Sequence, residues 1–297
     1  MPASKSRPSG VLNIDKPQGL TSHDVVAQVR RLTGIRRAGH AGTLDPLATG
    51  VLLVCVGPAT RFVEYLQQSK KVYETTIRLG QMTDTYDAEG QVTATAPVPD
   101  FTLEALDRAL DAFRGDILQT PPMYSAIKRR GQPLYKLARE GKVVDRPPRP
   151  VTIYDITILD WRNPDLTLRI STSPGAYIRA IAHDLGQALG VGGHVLTLRR
   201  VASGAFRVED AITLEALEAA GEDWPRYLHG LRGALSMLPA VILTEEQTWR
   251  FRHGQRIPLD NPPNVTSDLR VLGPGETFLG VGRMKKGTLA PYKVLPA

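Results

Sequence analysis

Cysteine is almost absent from this sequence, and so are long hydrophobic runs. Cys55 is the single cysteine among 297 residues, which excludes a disulfide framework within the chain and any metal site built from several cysteines, and which fits a reducing compartment. No run approaches the ~20 apolar residues that a membrane helix needs. The polar start of the chain also lacks the apolar core of a signal peptide. We therefore expect a cytoplasmic protein that does not enter a membrane.

Positive charge is what the sequence has in excess. The chain carries a net charge of +7 and has a pI of about 9.6, while its 42% hydrophobic and 23% charged residues are ordinary for a soluble globular protein. The segment 119–150 contains eight basic residues against two acidic ones, a local excess of +6. Such clustering is the electrostatic footprint of a polyanion partner. A solvated basic surface is the alternative, and the proline and glycine residues of the segment favour a nucleic acid.

One carboxylate, Asp45, lies in a short segment bounded by glycine and proline. Gly42 precedes it, Pro46 follows it directly, and Gly50 closes the segment. Glycine allows backbone angles that other residues resist, and proline fixes its own φ and restricts its predecessor. Asp45 therefore has little freedom of direction, and the apolar run 51–56 after it indicates a buried strand or helix segment. An acid held beside buried apolar structure can serve catalysis, although Asp before Pro is also ordinary turn chemistry.

Tyr73 is a second candidate, because the residues around it alternate in character. This period of two predicts a strand over 70–80, with Tyr73 on the same face as Thr75, Ile77 and Leu79. A tyrosine there is most often a core residue with a satisfied hydroxyl group. The alternative is that its ring forms a wall of a base-binding pocket, and the strand pattern leaves both readings open.

Two basic residues outside the segment 119–150 also stand at turns. Ser173-Pro174-Gly175 leads into a predicted helix, with Tyr177 and Arg179 at its start. An arginine there can hold a carboxylate by paired, charge-assisted hydrogen bonds, and a surface position is the alternative. Lys16 precedes Pro17 in an earlier turn, where it is either a phosphate contact or an ordinary surface lysine.

The basic segment and the C-terminal region differ in pattern from the rest of the chain. Pro121-Pro122 breaks any helix, and Tyr124 and Tyr135 alternate with positive charge, as in proteins that bind single strands or loops. We expect the segment 119–150 to be a protruding arm that becomes ordered chiefly on its partner. From residue 239 onward, short β-like runs alternate with turns, which predicts a compact all-β module.

A series of motifs resembles, in order, those of the TruB family, the tRNA pseudouridine-55 synthases. The motifs are N-x-D-K-P-x-G-x-T-S (13–22), H-A-G-T-L-D-P-L-A-T-G (40–50), K-V-Y-E (71–74), L-G-x-x-T-D-T-x-D-x-x-G (79–90), P-P-M-Y-S-A-I-K (121–128), L-Y-K-L-A-R-E-G (134–141), S-P-G-A-Y-I-R (173–179) and L-R-R ending at Arg200. They span most of residues 10–205. The C-terminal module resembles a PUA domain, which is an RNA-binding β-barrel.

The resemblance implies an α+β architecture. We expect the pseudouridine synthase fold, a mixed and mainly antiparallel sheet with flanking helices, plus a small C-terminal all-β PUA-like barrel. A chain of 297 residues is long enough for two domains. We predict a disordered N-terminus at 1–9, a catalytic domain at 10–236 that includes the arm, and a PUA-like RNA-binding domain at 237–297.

The resemblance also implies roles for individual residues at the reacting base. Asp45 matches the catalytic aspartate of the family. Tyr73 matches the tyrosine that stacks on the target base, and Arg179 matches the arginine that pairs with the aspartate. We therefore predict these three residues as the catalytic group.

Further residues are expected to hold the RNA. His40 resembles the histidine that supports the flipped-out arrangement of the T-loop. Tyr177 and Leu198 match positions that line the uridine pocket. Lys16 and Lys128 are the two lysines that we expect in contact with the substrate.

The implied reaction is the isomerisation of uridine to pseudouridine at position 55 in the T-arm of tRNA. The N1–C1′ bond breaks, the base turns, and C5 joins C1′; no atom is gained or lost, so we expect no cofactor and no metal. The carboxylate could attack C1′, add to C6 of the base or remove a proton from C2′, and the sequence leaves all three open. Flipping the nucleotide costs a few kcal/mol. Phosphate contacts from the arm and contacts of the C-terminal domain with the acceptor end are expected to supply this energy to a monomeric enzyme.

Three other functions compete with this one. A tRNA-binding chaperone that remodels the elbow without chemistry would use the same basic arm and barrel, so only product formation separates it from an enzyme. A nucleoside hydrolase is disfavoured, because the sequence has neither an aspartate cluster for calcium nor a second well-placed carboxylate. A guide-RNA-dependent relative is disfavoured by the basic arm, which suggests direct recognition by one polypeptide.

Overall fold

The computed structural model describes residues 8–125, 127–129, 131–142, 144–259 and 261–296. Within two strands and a helix of the arm, the backbone alone is described for Lys128, Arg129, Pro133, Tyr135 and Arg139. Of the segment 1–9, which we predict to be disordered, residues 1–7 lie outside the described residues. Ser9 is described, and its hydroxyl accepts a hydrogen bond from the Ala59 amide at 3.0 Å, so ordered structure begins before residue 10.

Strands and helices are interspersed along the chain. Up to residue 139 they are β1 (Gly10–Lys16), α1 (Ser22–Thr33), β2 (Ala38–His40), β3 (Thr49–Val56), α2 (Val63–Gln67), β4 (Lys71–Leu79), β5 (Gln81–Thr83), β6 (Val92–Thr95), α3 (Leu103–Leu110), β7 (Gly115–Gln119), β8 (Lys128–Arg129), β9 (Gln132–Pro133) and α4 (Leu134–Arg139). They continue with β10 (Arg149–Arg162), β11 (Asp165–Thr172), α5 (Ile178–Ala188), β12 (Gly193–Ser203), β13 (Phe206–Arg207), α6 (Leu214–Ala219), α7 (Leu231–Ala234), β14 (Ala240–Ile242), α8 (Glu245–Arg252), β15 (Ile257–Pro258), β16 (Leu269–Leu272), β17 (Phe278–Lys285) and β18 (Thr288–Val294). Short 3-10 helices lie at Gly57–Phe62, Asp111–Phe113, Val208–Asp210, Gly221–Tyr227 and Pro274–Glu276.

The chain divides into two compact units. The first comprises the described residues up to 45, residues 50–69 and those from 203 onward, and the second comprises residues 46–49 and 70–202. The C-terminal strands share the first unit with β1 and β3 because one hydrophobic core contains residues of both. The domain boundary at 236 and 237 stays a prediction.

The first unit is built on the pair formed by β1 and β3. They run antiparallel, with Lys16 opposite Gly50, and β2 also pairs antiparallel with β3, with His40 opposite Val54. Every residue of β3 from Gly50 to Val56 is buried, so the apolar run after Asp45 is a strand rather than a helix. The sequence had left that choice open.

Helix α1 begins at a capping box between Thr21 and Asp24. The Thr21 hydroxyl accepts from the Asp24 amide at 3.1 Å, while the Thr21 amide donates to the Asp24 carboxylate at 2.8 Å. This reciprocal capping box satisfies two donors at the helix start. Val25 and Val29, four residues apart on one face of the helix, are buried in the core.

The C-terminal strands form a five-stranded sheet in the order β14-β16-β17-β18-β15. The pair β14–β16 is parallel and the other pairs are antiparallel. This curled sheet is the half-barrel of the predicted PUA-like module. It also contains a helix that the all-β prediction missed: α8 begins at a capping box between Thr244 and Gln247 and contributes Phe251 to the core.

The second unit holds a sheet in the order β12-β4-β11-β10-β7. The pairs β4–β11, β11–β10 and β10–β7 are antiparallel, with Tyr73 opposite Ile170. Helix α5 packs against β4, and α3 packs against β10 and α5. Strands β10 and β11 form a hairpin around a cis Asn163–Pro164 bond. This mainly antiparallel sheet with flanking helices confirms the predicted α+β class.

The arm has its own short elements in the described residues. Strands β8 and β9 pair antiparallel, with Lys128 opposite Pro133, and α4 follows directly. The Arg146 guanidinium donates to the carbonyl of Pro121 at 3.0 Å, which joins the two ends of the arm. Ordering of the arm on a partner stays a prediction. None of the helices in the part of the chain described here is long and apolar enough to span a membrane.

Candidate active site

The Asp45 loop is tied to the first turn of α1. The Ser22 hydroxyl accepts from the Leu44 amide at 2.8 Å and donates to the Leu44 carbonyl at 3.0 Å. Gly42 has a φ of 101°, in the left-handed region that favours glycine. Leu44 is buried and Asp45 is half-buried. The residue before the carboxylate is therefore held on both its backbone groups, which restricts where the carboxylate can point, as the sequence predicts.

His40 lies at the end of β2, five residues before Asp45. It is half-buried, and its ring meets the ring of His23 edge-on, with 5.3 Å between centroids. His23 is an exposed residue of α1 that the sequence reading did not select. The two imidazole rings and the Asp45 loop therefore lie on adjacent segments of the first unit.

Lys16 differs from the expectation. It is fully buried, and its ammonium group donates to the carbonyl of Pro17 at 2.9 Å. Lys16 is buried because it belongs to β1, a strand with six of its seven residues buried. The Pro17 carbonyl partly replaces water as a partner for the ammonium charge. Lys16 is therefore neither an exposed phosphate contact nor a surface lysine in this structure.

In the second unit, Arg179 is buried and held by named acceptors. Its Nη1 lies 3.3 Å from the Asp87 carboxylate and donates to the carbonyl of Thr85 at 3.0 Å. Its Nη2 donates to the carbonyl of Tyr124 at 2.7 Å. The side chains of Arg179 and Asp87 are only 4% and 5% exposed. A planar guanidinium with several acceptors is fixed in one orientation, so Arg179 is pre-positioned by its neighbours.

Asp87 lies in the motif at 79–90, and nothing in the sequence indicated its pairing with Arg179. Its Oδ1 accepts from the Thr85 hydroxyl at 2.6 Å and from the Glu89 amide at 3.2 Å. Asp84, the other acid of this turn, accepts from the Gln91 amide at 2.8 Å. The structure thus gives both acids protein partners. Among the described residues, no group of three or more His, Cys, Asp or Glu side chains could hold a metal ion.

Tyr177 is positioned by a glutamine on β7. The Gln119 side chain accepts from the Tyr177 amide at 2.7 Å and donates to the Tyr177 carbonyl at 3.0 Å. Gln119 is buried, and Tyr177 is the half-buried N-cap residue of α5. The sequence offered no signal for Gln119, because its partner is distant in the chain.

Tyr73 and Leu198 lie on neighbouring strands of the second unit. Tyr73 is half-buried on β4, whereas Leu198 is buried on β12. The two strands are connected through Thr197, whose carbonyl accepts from the Thr75 hydroxyl at 2.8 Å. The half-buried state of Tyr73 is compatible with a ring that faces a ligand on one side.

A stacked pair lies one residue from Asp87. The rings of Tyr86 and His183 are parallel within 10°, with 3.8 Å between centroids. Tyr86 has a φ of 66°, an unusual value for a non-glycine residue. Burial lowers the pKa of His183, and the nearby Asp184 carboxylate offsets part of this effect. A neutral imidazole is the form that burial in this stack favours.

The structure brings some predicted residues together and assigns others to separate units. Asp45 and His40 belong to the first unit, and Tyr73, Tyr177, Arg179 and Leu198 belong to the second. Tyr177 and Arg179 stand together at the start of α5. The backbone of Lys128 is in β8, while its side chain lies outside the described atoms. In the described contacts, the carboxylate that pairs with Arg179 is that of Asp87. The pairing of Arg179 with Asp45 stays a prediction.

Three family models match the chain, and together they cover it from residue 30 to residue 295. Residues 30–178 match the TruB family pseudouridylate synthase N-terminal domain. Residues 179–243 match the tRNA pseudouridylate synthase B C-terminal domain, and residues 239–295 match the C-terminal domain of pseudouridine synthase II TruB.

Curated bacterial proteins are similar over nearly the whole chain. The tRNA pseudouridine synthase B of Burkholderia lata is 46% identical over 291 residues, which is 96% of this chain and 90% of that protein. The protein of the same name from Ralstonia nicotianae is 45% identical over 295 residues, 96% of this chain and 94% of that protein.

Solved structures share the fold. The Cbf5-Nop10-Gar1 complex contains a chain that matches with a TM-score of 0.76 and 27% identity, over 100% of this chain and 88% of that one. An H/ACA RNP bound to a substrate RNA containing 2′-deoxyuridine matches with a TM-score of 0.74 and 25% identity, again over 100% of this chain and 88% of that one. These likenesses confirm the predicted fold class.

Proposed function

Because this chain belongs to the TruB family, it is an isomerase that forms pseudouridine in tRNA, and we propose that Asp45 isomerises uridine 55 in the T-arm. Asp45 is the carboxylate in the motif that resembles the catalytic loop of the family. The observation that carries the assignment is the pair of hydrogen bonds between Ser22 and Leu44. They hold the half-buried acid at one place, as a group that must meet C1′, C2′ or C6 of a nucleotide requires.

Arg179 is proposed to orient the Asp45 carboxylate. A guanidinium that is already held by Asp87 and by the carbonyls of Thr85 and Tyr124 needs no reorganisation when substrate arrives. Its charge also keeps an acid ionised at its side, and the reaction needs the ionised form. Asp87 would then act through Arg179 rather than on the substrate.

The aromatic residues are proposed to hold the extruded base. Tyr73 would stack on the uracil, and Tyr177 with Leu198 would line the pocket and exclude water, which could otherwise capture the detached sugar. The bonds from Gln119 support this role, since they fix the backbone of Tyr177. His40 is proposed to support the opened T-loop from the first unit.

RNA is the partner to which the family relation points, and the finer contacts are proposals. The arm, with its local charge excess of +6, would contact the phosphates of the T-arm through residues such as Lys128. The half-barrel would contact the acceptor end, as the resemblance to a PUA domain implies. We also propose that the enzyme works as a monomer in the cytoplasm. Neutralisation of phosphates by basic residues makes such binding salt-dependent.

The test is direct. The purified protein, without added cofactor or metal, is incubated with an unmodified T-arm stem-loop, and pseudouridine is measured together with free uracil. We expect pseudouridine and no uracil from the wild-type protein, and no product from Asp45→Asn, which should still bind the RNA. Asp210→Asn, an exposed acid of the same unit, is the matched control and should retain activity.

Each alternative has its own result in this assay. Free uracil would indicate a hydrolase, and RNA binding without any product would indicate a chaperone. Full turnover by Asp45→Asn would remove Asp45 from the mechanism.

A further inference from the structure

The half-barrel is joined to the segment after β3 by a network of charged and aromatic side chains. At its centre is Asp268, whose carboxylate accepts from the Tyr65 hydroxyl at 2.5 Å. The same carboxylate accepts from the Arg283 guanidinium at 2.6 and 3.2 Å. Tyr65 belongs to α2, whereas Asp268 and Arg283 belong to the half-barrel. One carboxylate therefore bridges two parts of the first unit that are about 200 residues apart in the chain.

Lys293 makes a second set of contacts across the same interface. Its ammonium group lies 2.8 Å from the Glu64 carboxylate and donates to the carbonyl of Arg61 at 2.7 Å. Arg61 in turn donates to the carbonyl of Val294 at 2.8 Å. Two basic side chains thus cross the interface in opposite directions. We call the group Arg61, Glu64, Tyr65, Asp268, Arg283 and Lys293 the Asp268 clamp.

Aromatic rings contact the basic side chains of the clamp. The Arg283 guanidinium lies over the ring of Tyr292, 3.4 Å from its centroid. A second contact between the half-barrel and the segment after β3 is apolar: Phe62 meets Phe278 edge-on, with 5.3 Å between centroids, and both belong to one buried core. The Asp268 and Lys293 side chains are only 17% and 18% exposed, whereas Arg283 and Glu64 are 43% and 54% exposed. The strength of the clamp therefore comes from several contacts acting together rather than from exclusion of water.

The charge state of Asp268 supports this view. Burial by itself would raise the pKa of the Asp268 carboxyl, but hydrogen bonds from Arg283 and Tyr65, together with the charges of Arg283 and Lys293, lower it overall. The carboxylate is therefore ionised at neutral pH. Its charge-assisted hydrogen bonds are of the stronger and more directional kind.

The clamp is connected through the chain to the Asp45 loop. The loop leads into β3, and the 3-10 helix Gly57–Phe62 and α2 follow without a break. Strand β3 is buried from Gly50 to Val56 and pairs with both β1 and β2, so it connects the Asp45 loop to the clamp through the core. A movement of the half-barrel against α2 would have to break several of these hydrogen bonds together.

We infer that the Asp268 clamp holds the half-barrel at a fixed distance from Asp45, and that its side chains are positioning residues for full-length tRNA. This inference rests on the proposed function, in which the half-barrel contacts the acceptor end. With the half-barrel held in place, binding of the acceptor end delivers the T-arm to Asp45 at a high effective concentration. A T-arm stem-loop lacks the acceptor end and gains nothing from the clamp.

The test compares two substrates with the full-length protein. Tyr65→Phe with Asp268→Asn removes the central hydrogen bonds, and Glu246→Gln, an exposed residue of α8 that does not cross the interface, is the matched control. For the clamp variant we expect the KM for full-length tRNA to rise by about three- to tenfold at unchanged kcat. We expect both constants for the stem-loop to stay within about twofold of wild type.

Other results would overturn the inference. An equal loss on both substrates, or a fall in kcat, would show that the clamp only supports the fold. No change on either substrate would show that the half-barrel needs no fixed position. If the double variant does not fold, Tyr65→Phe alone gives the same comparison. Absence of product from the wild-type protein on both substrates would instead refute the proposed function.

Discussion

Arg179 and Asp87 form a buried ion pair, with 3.3 Å between Nη1 and Oδ2. Each partner has further hydrogen bonds: Arg179 to two carbonyl groups, and Asp87 to the Thr85 hydroxyl and an amide. Because both partners of this buried pair have further hydrogen bonds, the pair fixes one geometry. Its contribution to the free energy of unfolding is smaller than this effect on geometry. Its significance here is that it presets the arginine that we propose for the catalytic carboxylate.

Asp87→Asn should destabilise the protein and slow the reaction. The change keeps the shape of the side chain but leaves the Arg179 charge without its buried counter-charge, which costs about 3 kcal/mol in the free energy of unfolding. Misplacement of Arg179 should lower kcat by about a hundredfold. Urea denaturation and turnover of a stem-loop measure the two effects. Asp84→Asn, in the same turn but exposed, should change neither; unaltered stability and activity of Asp87→Asn would contradict the assigned role.

Gln119→Leu should weaken substrate binding through Tyr177. The substitution keeps the approximate size and removes both hydrogen bonds, and the loss of an acceptor for the partly buried Tyr177 amide costs about 1 kcal/mol. A displaced Tyr177 should raise KM more than it lowers kcat. Steady-state kinetics test this, with Gln187→Leu, an exposed residue of α5, as the control. A KM equal to that of wild type would show that Tyr177 needs no such support.

Lys71 should make stability depend on pH above neutrality. Burial, and then the charge of Arg200, lower the pKa of Lys71 to about 7. Between this value and about 10.4, the pKa of a free lysine, the unfolded chain carries one more proton than the folded chain, so the free energy of unfolding rises with pH. Lys71→Met should abolish this rise in the free energy of unfolding between about pH 7 and 9. Lys70→Met, which replaces the exposed neighbouring lysine, should leave the rise intact. Urea titrations at several pH values make the comparison, and parallel curves for wild type and Lys71→Met would contradict it.

Cys55 should be inert toward thiol reagents in the folded protein. It is fully buried on β3, and burial raises its pKa to about 12. At pH 8 only about one thiol in ten thousand would be ionised, and the thiolate is the reactive form. Alkylation followed by mass spectrometry should find no adduct until the chain is unfolded. An exposed thiol introduced by Ala205→Cys serves as the positive control, and rapid native labelling of Cys55 would show that β3 opens.

The arm should contribute to the salt dependence of tRNA binding. Neutralising three exposed residues with Lys136→Gln, Lys142→Gln and Arg149→Gln removes three phosphate contacts if all three meet the RNA. The slope of log K against log salt concentration should then become shallower by about 2 to 3. Binding titrations at several salt concentrations measure the slope. The matched pair Arg108→Gln and Arg162→Gln, exposed outside the arm, should leave it unchanged, and an unchanged slope in the triple variant would exclude the arm as a phosphate contact.

Several elements could be predicted because their signals are local. The capping box of α1 depends on residues three positions apart, and the strand β4 follows from a period of two. The hairpin between β10 and β11 follows from its Asn-Pro-Asp turn. Helix α8 was missed because the expectation of a β-barrel outweighed the local signal of Thr244 and Gln247.

The charged side chains were harder to predict. Lys16 was expected at the surface and is fully buried. Asp87 was seen in a motif but was not connected with Arg179, and Gln119 was not noticed at all. In each case the partner or the burying surface is far away in the sequence, so neither composition nor period indicates it.

The sequence by itself determined the family, the order of most elements and the restrained loop of Asp45, because turn chemistry, capping and hydrophobic period act between residues close in the chain. Only the tertiary structure decided which carboxylate Arg179 holds in the described contacts, how Gln119 supports Tyr177, and that the half-barrel shares a core and a clamp with the segment after β3. These features depend on burial and on hydrogen bonds between distant residues, and both arise only when the chain is packed.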